Sequence, residues 1–93
     1  MIKSFADRDT ERLFKRQRPR RIPSGIWKRA HNKLLSLHAT EDLNSLSSPP
    51  GNRLERLEGD RKGLWSVRIN SQWRICFQWE EGNAFDVEVC DYH

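Results

Sequence analysis

The chain has few of the features that define several large functional classes. No stretch approaches the ~18 apolar residues of a membrane-spanning helix, and Met1-Ile2-Lys3-Ser4-Phe5 lacks the apolar core of a secretory signal. The expectation is therefore a cytoplasmic protein with no membrane partner. Cysteine is scarce: Cys76 and Cys90 are the only two, without CxxC spacing, and both fall in expected strands, so they read as reduced structural thiols. His31 and His38, seven residues apart on one helix, stand about 10.5 Å apart along its axis, too far to share an ion. Zinc needs three or four ligands, so no metal or cofactor is expected. There is no glycine-rich phosphate loop; Gly59, Gly63 and Gly82 read as turn residues. Ser66 and Ser71 have no His and Asp in an order that would build a nucleophilic triad.

What the chain does have is charge and large aromatics. Its 93 residues leave room for one domain with one modest core. Four Trp, four Phe and a charged fraction of 32% indicate a folded, well-solvated protein. The net charge of +4 is unevenly distributed. Residues 1–33 carry eleven of the 17 Lys and Arg but only Asp7, Asp9 and Glu11 of the 13 acids, about +8 against about −4 for the remainder. A basic third attracts polyanions, although a run of charge is often just a solvated face.

Two periods organise the chain. Ile2–Phe5 is a candidate edge strand, and Asp9 or Thr10 can cap a helix carrying Leu13 and Phe14. Between Lys15 and Arg21 five cations fall in seven residues, which predicts a mobile loop ending at Pro23. From Ser24, residues Ile26, Trp27, Ala30, Leu34 and Leu37 recur at helical spacing, with Lys28, Arg29, Asn32 and Lys33 turned away. Thr40–Leu46 offers a weaker helix, which Ser47-Ser48-Pro49-Pro50-Gly51-Asn52 breaks. Then the period changes to two. Leu54 and Leu57 can start a strand; Trp65, Val67 and Ile69 alternate with polar residues; Trp73, Ile75, Phe77 and Trp79 do so again; Phe85, Val87 and Val89 form a last strand after a Glu80–Asn83 turn. Helices followed by an antiparallel meander define an α+β fold, two N-terminal helices packed on an antiparallel sheet.

The candidate chemistry lies on the polar parity of those strands. Arg68 and Arg74 project opposite the aromatics, where a phosphate can approach a rigid surface. The chain ends on Asp91, Tyr92 and His93, three residues able to move protons or carry charge. Metal-free RNA cleavage needs a base for the 2′-hydroxyl, a cation for the equatorial oxygens and an acid for the 5′-oxygen. Strand parity would put Asp91 and His93 on the face of Val87 and Val89, and Tyr92 on the other. A frayed terminus or an interface anchor are the plainer readings of these three residues. Trp65 and Trp73 read as core residues.

Taken together, Met1-Ile2-Lys3-Ser4-Phe5, Gly59-Asp60-Arg61-x-Gly63-x-Trp65-Ser66, Trp73-Arg74-x-x-Phe77 and the closing Asp91-Tyr92-His93 resemble the HigB-type toxins of the RelE/ParE superfamily. Pro49-Pro50-Gly51-Asn52-Arg53-Leu54-Glu55 resembles one branch of that family. The resemblance implies a single RelE/HigB-like toxin domain over residues 1–93, microbial-RNase-like in fold. It implies a ribosome-dependent mRNA endonuclease (mRNA interferase) that enters the ribosomal A site and inhibits translation. The implied partners are a HigA-type helix-turn-helix antitoxin, the ribosome and mRNA, with operator DNA bound only through the toxin–antitoxin complex. By position, Arg74 resembles the family's phosphate-binding arginine, and Asp91, Tyr92 and His93 its terminal catalytic cluster. Glu55 stands where many relatives have a His, which makes it a candidate base, and Glu58 stands where some have a cation. Arg16, Arg18, Arg20, Arg21, Lys28, Arg29, Lys33, Arg61 and Arg68 are the expected RNA or ribosome contacts. The alternative from another class is a non-catalytic ParE-like toxin that poisons a protein target such as gyrase. A nucleic-acid-binding module without toxicity is a third reading, suggested by the basic first third alone.

Overall fold

A computed structural model describes residues 1–59 and 63–91. Helix α1 spans Arg8–Phe14 and α2 spans Trp27–Ala39. Four strands follow: β1 Glu55–Arg56, β2 Trp65–Arg68, β3 Trp73–Glu80 and β4 Asn83–Asp91. They form one antiparallel sheet in the order β1-β2-β3-β4, so the meander and the α+β class read from the sequence are present. Among the described residues no helix is long and apolar enough to cross a membrane, and no group of three or more His, Cys, Asp or Glu is placed to hold a metal ion.

The core lies between the helices and one face of the sheet. Ala30, Leu34 and Leu37, spaced three and four apart on α2, are fully buried against Val67, Ile75, Phe77 and Val87. Trp65, Trp73 and Trp79 pack at its margin, the core role expected of the first two. Thr10 is a polar member of this core: its Oγ1 accepts a hydrogen bond from the Val89 amide at 2.9 Å, tying α1 to β4.

Several local expectations are corrected. The α1 cap is Asp7, whose carboxylate accepts from the Thr10 amide at 2.7 Å, rather than Asp9 or Thr10. Asp9 instead accepts from the amides of Arg20 and Arg21, at 3.1 and 2.8 Å, so the basic loop is anchored at its far end. Those two bonds, the first above all, hold the Asp9 carboxyl below its usual range. The Thr40–Leu46 helix is a short 3₁₀ segment, Leu43–Ser47, capped by Asp42. Ile2 and Phe5 contribute two isolated parallel bridges, to Ala84 and Val87, rather than a strand.

The last strand departs from simple alternation. A bulge interrupts the pairing of β3 with β4: Cys76 pairs with Glu88, but Gln78 pairs with Phe85, so Asp86 and Val87 together face Phe77. Asp86 takes a left-handed φ of 51°, and its amide donates to Ser4 Oγ at 2.8 Å. Each residue shifts side beyond such an insertion. Phe85 therefore lies on the face of Gln78 and Cys76, away from Val87 and Val89, and Ala84 takes the core position opposite Trp79. The β3–β4 turn sits on Glu81 and Gly82, both at positive φ, as a two-residue hairpin turn needs.

Candidate active site

The face of the sheet turned away from the helices carries Ser66, Arg68, Arg74, Cys76 and Cys90, because each shares strand parity with its cross-strand neighbour. Half of this face is apolar. Leu57 and Leu64 pack over Cys76 and Cys90, two buried, reduced thiols whose sulfurs touch at 2.8 Å. The rest carries Arg68 and Arg74 together with two carboxylates, Glu55 opposite Ser66 and Glu88 opposite Cys76.

Arg74 and Arg68 are direct cross-strand partners. Like charges in that position repel, and Arg74 is only 7% exposed, so its charge needs fixed acceptors. Nε donates to the hydroxyl of fully buried Ser66 at 2.9 Å, and Nη2 donates to the Arg53 carbonyl at 2.8 Å. The Glu55 carboxylate, half exposed, lies 3.8 Å from the same Nη2. Arg68 turns its Nε onto the Asn70 carbonyl at 3.0 Å. Around these groups is a pocket of about 180 Å³ lined by Arg53, Arg68, Asn70, Ser71 and Arg74. Among the described residues, three arginines and no carboxylate line it, an arrangement suited to a phosphate.

Local chain geometry sets this pocket. Arg53 adopts a left-handed φ of 43° after the 3₁₀ turn Pro50–Asn52. Buried Asn52 donates through Nδ2 to the carbonyls of Leu46 and Ser48, at 3.1 and 3.2 Å. The Arg53 carbonyl is thereby held where Arg74 can reach it. On the opposite rim, Asn70 Oδ1 accepts from the amides of Gln72 and Trp73, at 2.8 and 2.7 Å, closing the β2–β3 turn.

The structure thus gathers Arg74, Arg68 and Glu55. Asp91 is elsewhere: it pairs with Trp73 on the helix-side parity and accepts from Gln72 Nε2 at 3.0 Å. Tyr92, His93 and Arg61 lie outside the described residues. Arg16, Arg18, Arg20 and Arg21 are exposed on the loop after α1, while Lys28, Arg29 and half-buried Lys33 follow the outer side of α2. His31 Nδ1 donates to the Leu13 carbonyl at 2.9 Å, and His38 Nδ1 accepts from the Ile2 amide at 3.1 Å, so both are packing residues. Sequence reasoning missed Ser66, Asn52, Asn70 and the Arg53 carbonyl. Ser66 carried a usable signal, since it shares the parity of Arg68 and Arg74. The backbone acceptor carried none.

The fold is shared with solved structures of low sequence identity. The structure matches a mutant of YafQ from E. coli with a TM-score of 0.59 at 17% identity, over 98% of this chain and 91% of that one. It matches a YoeB–YefM toxin–antitoxin complex from Staphylococcus aureus with a TM-score of 0.58 at 20% identity, over 100% and 95%. Residues 3–93 match the model of the HigB-like toxins, described as the RelE-like toxin of type II toxin–antitoxin system HigB, and the chain belongs to that family. It is 41% identical to Toxin HigB-1 of Vibrio cholerae serotype O1, over 94% of this chain and 93% of the relative. It is 31% identical to Endoribonuclease HigB of Proteus vulgaris over the full length of both.

Proposed function

We propose that this toxin is a ribosome-dependent mRNA endonuclease, and that Arg74 binds the scissile phosphate. The observation that carries the reading is the buried, oriented Arg74 guanidinium facing Arg68 across a small cationic pocket. The endoribonuclease name of the Proteus vulgaris relative supports it. In the proposed reaction the 2′-oxygen of the substrate ribose attacks the adjacent phosphorus while the 5′-oxygen departs, leaving a 2′,3′-cyclic phosphate. Arg74, aided by Arg68, stabilises charge that grows on the non-bridging oxygens. Such a donor is worth about 2.7–4 kcal/mol in the transition state. Glu55, beside Arg74, takes the 2′-hydroxyl proton, and His93 returns one to the 5′-oxygen. Tyr92 shares the proton transfer, and Asp91, on the helix-side parity of β4, orients the end of the strand rather than touching the substrate.

A protein of this size has little surface with which to align a long message, so the ribosome supplies the alignment in this reading. The exposed cations at Arg16, Arg18, Arg20, Arg21 and Lys28, together with Arg61, contact ribosomal RNA. A HigA-type helix-turn-helix antitoxin neutralises the toxin in the cytoplasm, and the pair binds its operator. The test is a map of mRNA ends by primer extension after induction. Cuts in register with codons are expected. Intact messages accompanied by DNA breaks would replace this reading with a gyrase-poisoning one.

A further inference from the structure

A second, larger cleft lies outside the arginine pocket. It runs between the outer side of α2 and the Ser45–Asn52 segment and encloses about 830 Å³. Among the described residues it is lined by Lys28, Arg29, Lys33 and uncharged side chains, without a carboxylate. Asn70 lines both this groove and the pocket of Arg74, so the two adjoin at the β2–β3 turn. Arg29 is fixed at the junction, where its Nη1 donates to the Ile69 carbonyl at 3.3 Å. Lys33 is fixed deeper in, where Nζ donates to Asn52 Oδ1. Asn52 is the residue before Arg53, whose carbonyl holds Arg74. The groove and the pocket thus share a wall as well as a sign of charge.

We propose that this groove binds the sugar–phosphate backbone of the same RNA strand whose scissile phosphate sits at Arg74, with Arg29 and Lys33 each holding a flanking phosphate. The proposal rests on the endonuclease reading above and assigns Arg29 and Lys33 to the message rather than to ribosomal RNA. The physical case is charge complementarity. Burial first, and then the Arg29 charge, lower the Lys33 pKa; a phosphate seated between the two cations offsets both effects. Cations held by neutral acceptors are also pre-oriented for a polyanion, which reduces the ordering cost of binding. The uncharged polar lining, Asn32, Ser36 and Ser45, places no carboxylate against the phosphates.

The experiment uses the whole protein and a 2′-O-methyl RNA octamer, which lacks the attacking hydroxyl and so stays intact, beside a 2′-O-methyl dinucleotide. Binding is measured by fluorescence anisotropy over a salt series for wild type, for the double variant Arg29→Gln/Lys33→Gln, and for Asn32→Asp, which adds a repelling carboxylate at an exposed position. The double variant is expected to bind the octamer roughly tenfold more weakly at low salt, with the log-affinity slope against log salt reduced by about 1.4, the value for two phosphates of a single strand. Asn32→Asp weakens the octamer in the same direction, and the dinucleotide is unaffected by either change. Equal octamer affinity and slope in wild type and double variant would overturn the proposal, as would failure of the wild type to bind the octamer. Unchanged RNA binding with loss of antitoxin binding would also overturn it and give the groove to a protein partner. Cleavage on programmed ribosomes, measured in parallel, separates the two readings. Cleavage with groove-independent octamer binding ends the groove proposal alone, and uncut messages with groove-dependent binding end the endonuclease reading alone.

Discussion

The Ser66 hydroxyl, fully buried one strand away from Arg74, accepts a hydrogen bond from Arg74 Nε at 2.9 Å. With the Arg53 carbonyl on Nη2, it sets the orientation of the guanidinium plane. A buried arginine opposite another arginine is unfavourable for stability by itself. Its retention on a rigid strand fits a site built for an anion.

Ser66→Ala removes one acceptor and leaves Nε buried without it. The expected cost is about 1–3 kcal/mol of stability, read by urea unfolding. Cleavage by the folded fraction is expected to fall as well, because the guanidinium loses its orientation. A stability loss with an unchanged single-turnover rate would limit Ser66 to a packing role.

Asn52→Ala breaks the bonds to the Leu46 and Ser48 carbonyls and releases the turn that aims the Arg53 carbonyl. A loss of about 1–3 kcal/mol is expected from the unsatisfied carbonyls, together with slower cleavage. Hydrogen exchange at the Arg53 and Asn52 amides, which donate to Pro50 and Pro49 carbonyls, should rise in the variant. Protection equal to wild type would contradict the link.

Glu55→Gln keeps the shape of an exposed side chain and removes its carboxylate. If Glu55 accepts the 2′-hydroxyl proton, the cleavage rate falls about 10²–10⁴-fold while the unfolding midpoint hardly moves. An unchanged rate would leave Glu55 as a mere neighbour of the Arg74 charge.

Asp9 makes acid sensitivity specific. Its folded carboxyl titrates below its usual value because the Arg20 and Arg21 amides donate to it. A depressed folded pKa means the stabilisation is present above the unfolded value, about 3.9, and is lost as pH falls through the folded one. Asp9→Asn is therefore expected to lose stability at pH 7 and to lose less than wild type on going from pH 5 to pH 2, measured by urea unfolding at each pH. Parallel pH curves for the two proteins would contradict the assignment.

Much of the sheet was legible because β2 and β3 obey period two without interruption, and α2 because Ala30, Leu34 and Leu37 hold one stripe. The side of Phe85 was not legible. A bulge at Asp86 depends on the N-terminal segment docking through Ser4, a contact 82 residues distant in sequence that periodicity cannot register. The same holds at the site. Parity correctly placed Arg68 and Arg74 together, but the acceptors that orient Arg74 include a backbone carbonyl from a left-handed residue, for which no side-chain pattern codes. The capping residue was mistaken for the same reason: Asp7 and Asp9 are chemically identical, and only the path of the basic loop decides which one caps α1.

The central claim, that Arg74 carries the transition-state charge, is tested most directly by single-turnover cleavage of mRNA on programmed ribosomes with Arg74→Ala, using antitoxin binding and the unfolding curve to confirm the fold. A rate lowered about 10²–10³-fold is expected in a protein that still binds its antitoxin. A folded Arg74→Ala toxin that cuts at the wild-type rate would contradict it.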